Sequence, residues 1–571
     1  MASPLGWTTQ PANVISRTTA SVSERFAAPG VLAAAGVIVA WLLVSRVGYV
    51  PMWDGFIYAE AINDATRWPP SAESLRLAGH ASQAYATVAV ALQALSPGSF
   101  WPLLLLNAAL FALACVGFHR LLRLAFPEPA QRVERALLTA GFALQPSLLA
   151  SVVQPGLDLP VVPAFIWCTV LMLERRWVAT IIVGIIAAFT KETAVLLYAV
   201  LLAAYALWTL VRTPGSPRTR IVQVLRLAPL VTPGIAFGLY LAWRMLSAPA
   251  GEPVVWNAGT AMINQSLVRQ LLVPRIDRYV ASFVAMMVIL NFSWIAAGFT
   301  VAGTVAYVRR LLREAHWPDR RRALVSDAGT VPGFLVLLTA AVAFALTRFA
   351  TYANPRYVLP FVALLFVLFY ASLVTLVGHP NVRRSILGAF AAVLLVSTVR
   401  TVDPVSRSVY GTFPVGERDL LHMTSITREC CGAGRDQLVY NLEFTTLEAL
   451  TSDAFEAVSA GAASAIVVPD STDWFIATRV DASSHRRTIG RNGSVAPVLM
   501  ESDDLLASDS VVTAAYFVAL PNASPRRDLG AIAERYDVGP ERHLRRGPYS
   551  LSVYRLTSRR PNGTRAGARP Q

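Results

Sequence analysis

Lys191 is the one lysine among the chain's 50 basic residues, and it stands in Phe189-Thr190-Lys191-Glu192-Thr193, where two long apolar stretches meet. An ammonium at or near membrane depth is costly, so such a group faces a cavity, takes a partner or does chemistry. Two roles fit it equally: ligand for a phosphate, or ion-pair partner of Glu192 in a capped helix turn. Arg356 lies in Tyr352-Ala353-Asn354-Pro355-Arg356-Tyr357-Val358-Leu359-Pro360. Its guanidinium can grip a phosphate bidentately, or anchor the chain at the membrane interface with Tyr357. Asp54 lies in Val50-Pro51-Met52-Trp53-Asp54-Gly55-Phe56-Ile57-Tyr58-Ala59-Glu60. A carboxylate there can take a proton from a hydroxyl while Trp53 and Tyr58 stack on a sugar or lipid edge, or it can start a helix beside an aromatic belt. His80 shortly precedes Tyr85, and Asp158 ends Gln154-Pro155-Gly156-Leu157-Asp158. A histidine in that place is a catalytic or a surface residue, and a loop aspartate there can bind a metal or an acceptor.

The elements that must position these groups are membrane helices. With 54% hydrophobic and 15% charged residues and a mean hydropathy of +0.49, the chain is far below the roughly 25% charge of soluble domains. A crossing needs about 20 apolar residues. Stretches at or near that length are 30–50, 100–118, 136–153, 160–174, 177–190, 193–211, 227–247, 279–308, 331–349, 357–377 and 385–400. The stretch 81–96 is short and carries Ser82, Gln83, Tyr85 and Gln93, which suits an interfacial, re-entrant or short segment. Arginines cluster at 120–135, 175–176, 212–226, 309–322 and 383–384. Positive residues mark the cytoplasmic side. Placing these clusters inside with the N-terminus predicts eleven crossings, or twelve if 81–96 crosses. Asp54, Glu60, Asp64, His80, Asp158, Lys191, Glu192, Arg348 and Arg356 then share the outer surface, as an extracytoplasmic active site requires.

Four segments follow: a cytoplasmic 1–29, a transmembrane domain over 30–400 with a first external loop at 51–80, an exported domain over 401–557, and a disordered basic tail over 558–571. Short β-like runs at 438–444, 464–469, 510–520 and 549–556, with a helical pattern near 446–459, predict that the exported domain is α/β. Cys115 and Cys168 read as small helix packers, while the vicinal Cys430 and Cys431 fall outside the cytoplasm, with their pairing open. The net charge of +15 does not imply nucleic acid, because the arginines sit mostly between apolar runs and in the C-terminal third. Membrane lipid headgroups are their counter-charge.

In order and spacing these motifs resemble the GT-C superfamily of polytopic glycosyltransferases, in particular the branch of protein O-mannosyltransferases and the lipid A aminoarabinose transferase. Asp54 with Tyr58 matches that family's acidic first-loop motif, and His80 with Tyr85 its following segment. Thr190-Lys191-Glu192-Thr193 matches the mid-chain turn, and Arg356-Tyr357 with Pro360 the late one. The resemblance implies transfer of a sugar from a polyprenyl-phosphate carrier to an extracytoplasmic glycan, lipid or protein acceptor, with inversion. It implies Asp54 as general base and Lys191 and Arg356 as ligands of the leaving phosphate. His80, Glu192 and Asp158 would orient these groups, with Tyr58, Tyr85 and Tyr357 in support. The motifs depart from the family where Gly55 replaces a second acid and Ala81-Ser82 replace two prolines, which leaves use of a divalent cation open. A flippase of lipid-linked sugars and a non-catalytic envelope-assembly protein are the rival classes, although no two related halves, the mark of many transporters, are visible.

Overall fold

A computed structural model describes residues 22–45, 54–66, 75–96, 100–247, 292–313, 324–349 and 359–399 of the helical part. In the C-terminal part it describes 414–415, 418–419, 450, 453, 465–468, 498–507, 514–519, 526–546 and 549–559. The helices are α1 (Val22–Val44), α2 (Asp54–Asp64), α3 (Gln83–Gln93), α4 (Trp101–Ala125), α5 (Arg132–Ala143), α6 (Pro146–Val152), α7 (Asp158–Leu173), α8 (Trp177–Ala188), α9 (Glu192–Arg212), α10 (Pro217–Leu225), α11 (Thr232–Ser247), α12 (Trp294–Arg313), α13 (Val331–Phe349), α14 (Leu359–Leu376) and α15 (Pro380–Val399).

Six described helical segments are long and apolar enough to cross a membrane: Phe26–Val44, Trp101–Ala125, Glu192–Arg212, Ala228–Ser247, Trp294–Arg313 and Leu359–Leu376. Shorter apolar helices, Asp158–Leu173, Trp177–Ala188 and Val331–Ala345, accompany them. The apolar run 136–153 is not one helix. It breaks at Leu144-Gln145, because Pro146 has no N–H to continue the ladder. The break is well satisfied: the Leu148 amide donates to Gln145 Oε1 at 2.6 Å, and Thr398 Oγ1 donates to Leu144 O at 3.0 Å. The segment 81–96 gives α3, whose 11 residues extend about 16 Å, half the thickness of a bilayer core. The segment between α1 and α3 contains a helix of its own, α2.

Between helices in lipid, close packing and polar contacts do the work that the hydrophobic effect does in water. α4 packs on α7, α1 and α15 on α5, α12 on α14, and α13 on α9. Phe118, Phe142, Phe366 and Phe390 form a fully buried aromatic stack at the centre, with Phe118 and Phe142 centroids 4.4 Å apart. α12 reaches α14 through Gly303, where a Cβ would lie 2.4 Å from Ser372 Cβ, so only glycine allows this approach.

One end of the bundle is tied by arginine. Glu134, fully buried, accepts from Tyr370 Oη at 2.5 Å and from Arg383 Nε and Nη2 at 2.9 and 3.0 Å. Arg120 grips Glu174 bidentately at 2.5 and 2.9 Å. Removing one partner of a buried pair strands the other charge. Glu134→Ala is therefore expected to cost about 3–5 kcal/mol, read as a lowered unfolding midpoint of the purified protein.

The C-terminal part contains β1 (Pro414–Val415), β2 (Arg418–Asp419), β3 (Ala465–Val468), β4 (Val498–Glu501), β5 (Ala514–Ala519), β6 (Tyr536–Val538), β7 (Arg542–Arg546) and β8 (Tyr549–Ser558), with helices α16 (Ser502–Ala507) and α17 (Arg526–Ala533). A six-stranded sheet runs β4-β3-β5-β8-β6, with β7 also on β8. β3 is parallel to β4 and β5, whereas β8 is antiparallel to β5, β6 and β7. Alternate residues Ala465, Val467, Ala515 and Phe517 turn inward with Leu556 onto Leu505 and Ile532, the period of two that a half-covered sheet requires. The runs 464–469, 510–520 and 549–556 fall on β3, β5 and β8. The run 438–444 lies outside the described residues, and so do Cys430 and Cys431.

Candidate active site

At the end of the bundle opposite Glu134, three chain segments meet. Lys191 is the N-cap residue of α9, in extended conformation (φ −165°, ψ 145°). Extended geometry sends its side chain away from that of Glu192, so the two do not form the helix-capping pair that their adjacency suggests. Lys191 Nζ instead donates to Asp158 Oδ1, and both residues are buried, at 4% and 8% exposure. Asp158 is not a loop residue: it opens α7 and carries its carboxylate to the first turn, where the helix dipole favours it.

Glu192 turns to the second segment. Its Oε2 lies 2.9 Å from His80 Nδ1, and its Oε1 accepts from the Ala81 amide at 2.8 Å. An ionised Glu192 places the ring proton on Nδ1, so this clasp fixes both the tautomer and the orientation of the imidazole. Around it, Ala84 N donates to Phe189 O at 2.8 Å and Gln83 Nε2 to Tyr240 Oη at 2.9 Å. Ser82 Oγ receives the Leu77 amide and donates to Leu75 O, at 2.8 and 2.9 Å. Ala81 and Ser82 thus supply an amide proton and a hydroxyl that hold this turn.

The third segment is α2 with the loop before α7. Tyr58 is buried and meets the His80 ring edge-on, with centroids 6.4 Å apart. A Cβ on Gly55 would come within 2.6 Å of Gln154 Oε1 and 3.0 Å of Pro155 O. This close approach seats the start of α2, where Asp54 stands, against the loop leading to Asp158. Gly55→Asp is expected to destabilise the protein by about 1–3 kcal/mol; the shift in unfolding temperature measures it, and Gln154→Ala should relieve part of the loss. Tyr85 is buried, and burial pushes its phenol above the ordinary range, with the Gly156 backbone opposing that shift.

Sequence reasoning missed two residues here. Asn107 on α4 donates to Val152 O and Gln154 O at 3.1 and 2.9 Å, fixing the loop below Asp158; an isolated asparagine in an apolar helix was the available signal. Arg244 is 6% exposed on α11, one turn beyond Tyr240 on the same face, and it was hidden by its place inside the apolar run 227–247. Arg356 and Tyr357 lie outside the described residues, and of Asp54 the structure describes the backbone. Among the described residues, no group of three or more His, Cys, Asp or Glu side chains comes together as a metal site.

The helices and this buried polar cluster define an α-helical polytopic membrane protein with a C-terminal α/β sheet and an ion-paired site at one end of its bundle. Two solved structures are similar to it over 92% of this chain and 98% of theirs. They are ArnT from Cupriavidus metallidurans bound to undecaprenyl phosphate, at TM-score 0.45 and 14% identity, and the same protein in the apo state, at TM-score 0.45 and 15% identity. Neither a protein-family profile nor a curated protein matches the chain.

Proposed function

We propose that this protein is a membrane glycosyltransferase that moves a sugar from a polyprenyl-phosphate carrier to an acceptor on the outer side of the cell membrane. The N-terminus and arginine clusters lie in the cytoplasm in this reading, and the C-terminal α/β domain lies outside. The observation that carries it is the buried Lys191–Asp158 pair beside the His80–Glu192 clasp, at the seat of the helix that Asp54 opens. An ionisable cluster at membrane depth, assembled from three distant parts of the chain, is costly unless used.

Asp54 takes the proton of the acceptor hydroxyl as it attacks the anomeric carbon, and the carbon–oxygen bond to the phosphate breaks on the opposite face, with inversion. The leaving polyprenyl phosphate keeps its negative charge. Lys191 and Arg356 supply the cationic partners for that charge, the electrostatic role that such clamps play in group transfer. Asp158 holds Lys191 in place and balances it before the donor arrives. Glu192 holds His80 and the turn after it, with Tyr58 on the imidazole edge.

The experiment is incubation of the purified protein with polyprenyl-phosphate sugars. Release of free polyprenyl phosphate is expected with an acceptor present. Donor that stays intact while crossing from one leaflet to the other would replace this reading with the flippase.

A further inference from the structure

α9 carries the chain 21 residues from the Lys191 turn to Arg212, about 30 Å, the thickness of a bilayer core. There the chain turns into α10, Pro217–Leu225. Ser216 caps this helix by accepting the Thr219 amide at 3.2 Å, and Pro217 occupies the first turn, so its start is locally specified. Leu227 and Leu230, just beyond it, are buried in the main core, and Tyr198 Oη donates to Leu230 O at 2.9 Å. The exit is therefore fixed as well.

No residue of α10 is buried. Ile221, Val222 and Leu225 are exposed at 55%, 42% and 64%. With 3.6 residues per turn they fall on one side of the helix, with Arg218 among them and Arg226 at the flank, while Arg220 lies on the other side. Arg220 Nε bonds Thr213 O at 3.1 Å, and Arg212 lies 4.3 Å from the Trp208 ring centroid. Glu174 at this end is taken by Arg120 and Arg176, and Glu134 by Arg383. Among the described residues, neither Arg218 nor Arg226 has an ion-pair partner.

We infer that α10 lies flat in the membrane face at the arginine-rich end and binds anionic phospholipid. Ile221, Val222 and Leu225 sink between acyl chains while Arg218 and Arg226 hold the phosphates. Basic helices with one apolar side take this position, and arginine can run its stem along the apolar layer and keep its head among the headgroups. Lipid, not a soluble protein, is the occupant because α10 cannot leave the membrane surface. Four residues separate it from α9, which is long enough to cross, and Ala228–Ser247 re-enters at once. This surface is at the far end of the bundle from Lys191, and the inference does not depend on the transferase reading.

The test uses the full chain in nanodiscs of phosphatidylcholine, with about a third of the lipid replaced by phosphatidylglycerol. Lipids retained on gentle extraction are counted by native mass spectrometry. Wild type should retain phosphatidylglycerol over phosphatidylcholine by about ten-fold. The double variant R218Q/R226Q should lose most of that preference, and its arginine-to-lysine counterpart should keep it. Arg218→Gln and Arg226→Gln singly, at side chains with no described ion-pair partner, should each remove part, even should the double variant fail to fold. Equal retention of both lipids by wild type, or an unchanged preference in the glutamine variants, would overturn the inference.

Discussion

Replacing Asp54 by asparagine is expected to slow sugar transfer by about 10²–10⁴-fold, the range over which a positioned general base acts. Asparagine is nearly isosteric and starts helices as well as aspartate does, so α2 should form and the unfolding midpoint should hardly move. An amide cannot accept the hydroxyl proton, so the loss falls on the transfer step while binding of the polyprenyl-phosphate donor persists. Single-turnover transfer and donor binding, measured side by side, separate the two. Undiminished transfer in Asp54→Asn would remove this carboxylate from the mechanism.

The second large effect concerns Lys191 and Asp158. Both are buried and bonded to each other, so Lys191→Met leaves a carboxylate stranded and is expected to cost about 3–5 kcal/mol of stability. The double variant Lys191→Met/Asp158→Leu removes both charges and should recover most of that loss, since replacing a buried pair with apolar groups is often neutral. It should not recover transfer, because the proposed mechanism loses the cation that would meet the leaving phosphate. Unfolding curves and transfer rates for the two singles and the double form a complete cycle. A stable double variant that transfers at the wild-type rate would confine Lys191 to a structural role.

Much of the helical framework was legible in the sequence because membrane helices announce themselves by length and apolarity. The split at Lys191 is an instance: two apolar runs met at one charged pair, and α8 ends and α9 begins there. The shortness of α3 was legible in the same way. What a one-dimensional pattern cannot carry is direction. Lys191 and Glu192 are neighbours, yet an extended N-cap sends one to α7 and the other to the turn at His80. Asp158 read as a loop residue because Pro155 and Gly156 precede it, although the helix begins at that very position. Pro146 stood in plain view within 136–153, but mean apolarity hid the break it makes.

Arg244 and Asn107 went unread because each is a lone polar group within an apolar run, and only packing reveals which way it faces. In the C-terminal part, β7 is rich in arginine and β6 is three residues long, whereas β3 and β5 are continuous apolar runs and β8 alternates. The Gly55 departure read as a weakening of the acidic motif. Its contact with Gln154 and Pro155 makes it instead the condition for seating α2 beside the loop before Asp158.

A structure determined with polyprenyl phosphate bound tests the central claim most directly. The account predicts the phosphate within hydrogen-bonding reach of Lys191 Nζ, on the side of the bundle where His80 meets Glu192. A phosphate bound among Arg120, Arg176 and the α10 arginines, with the Lys191–Asp158 pair untouched, would contradict it.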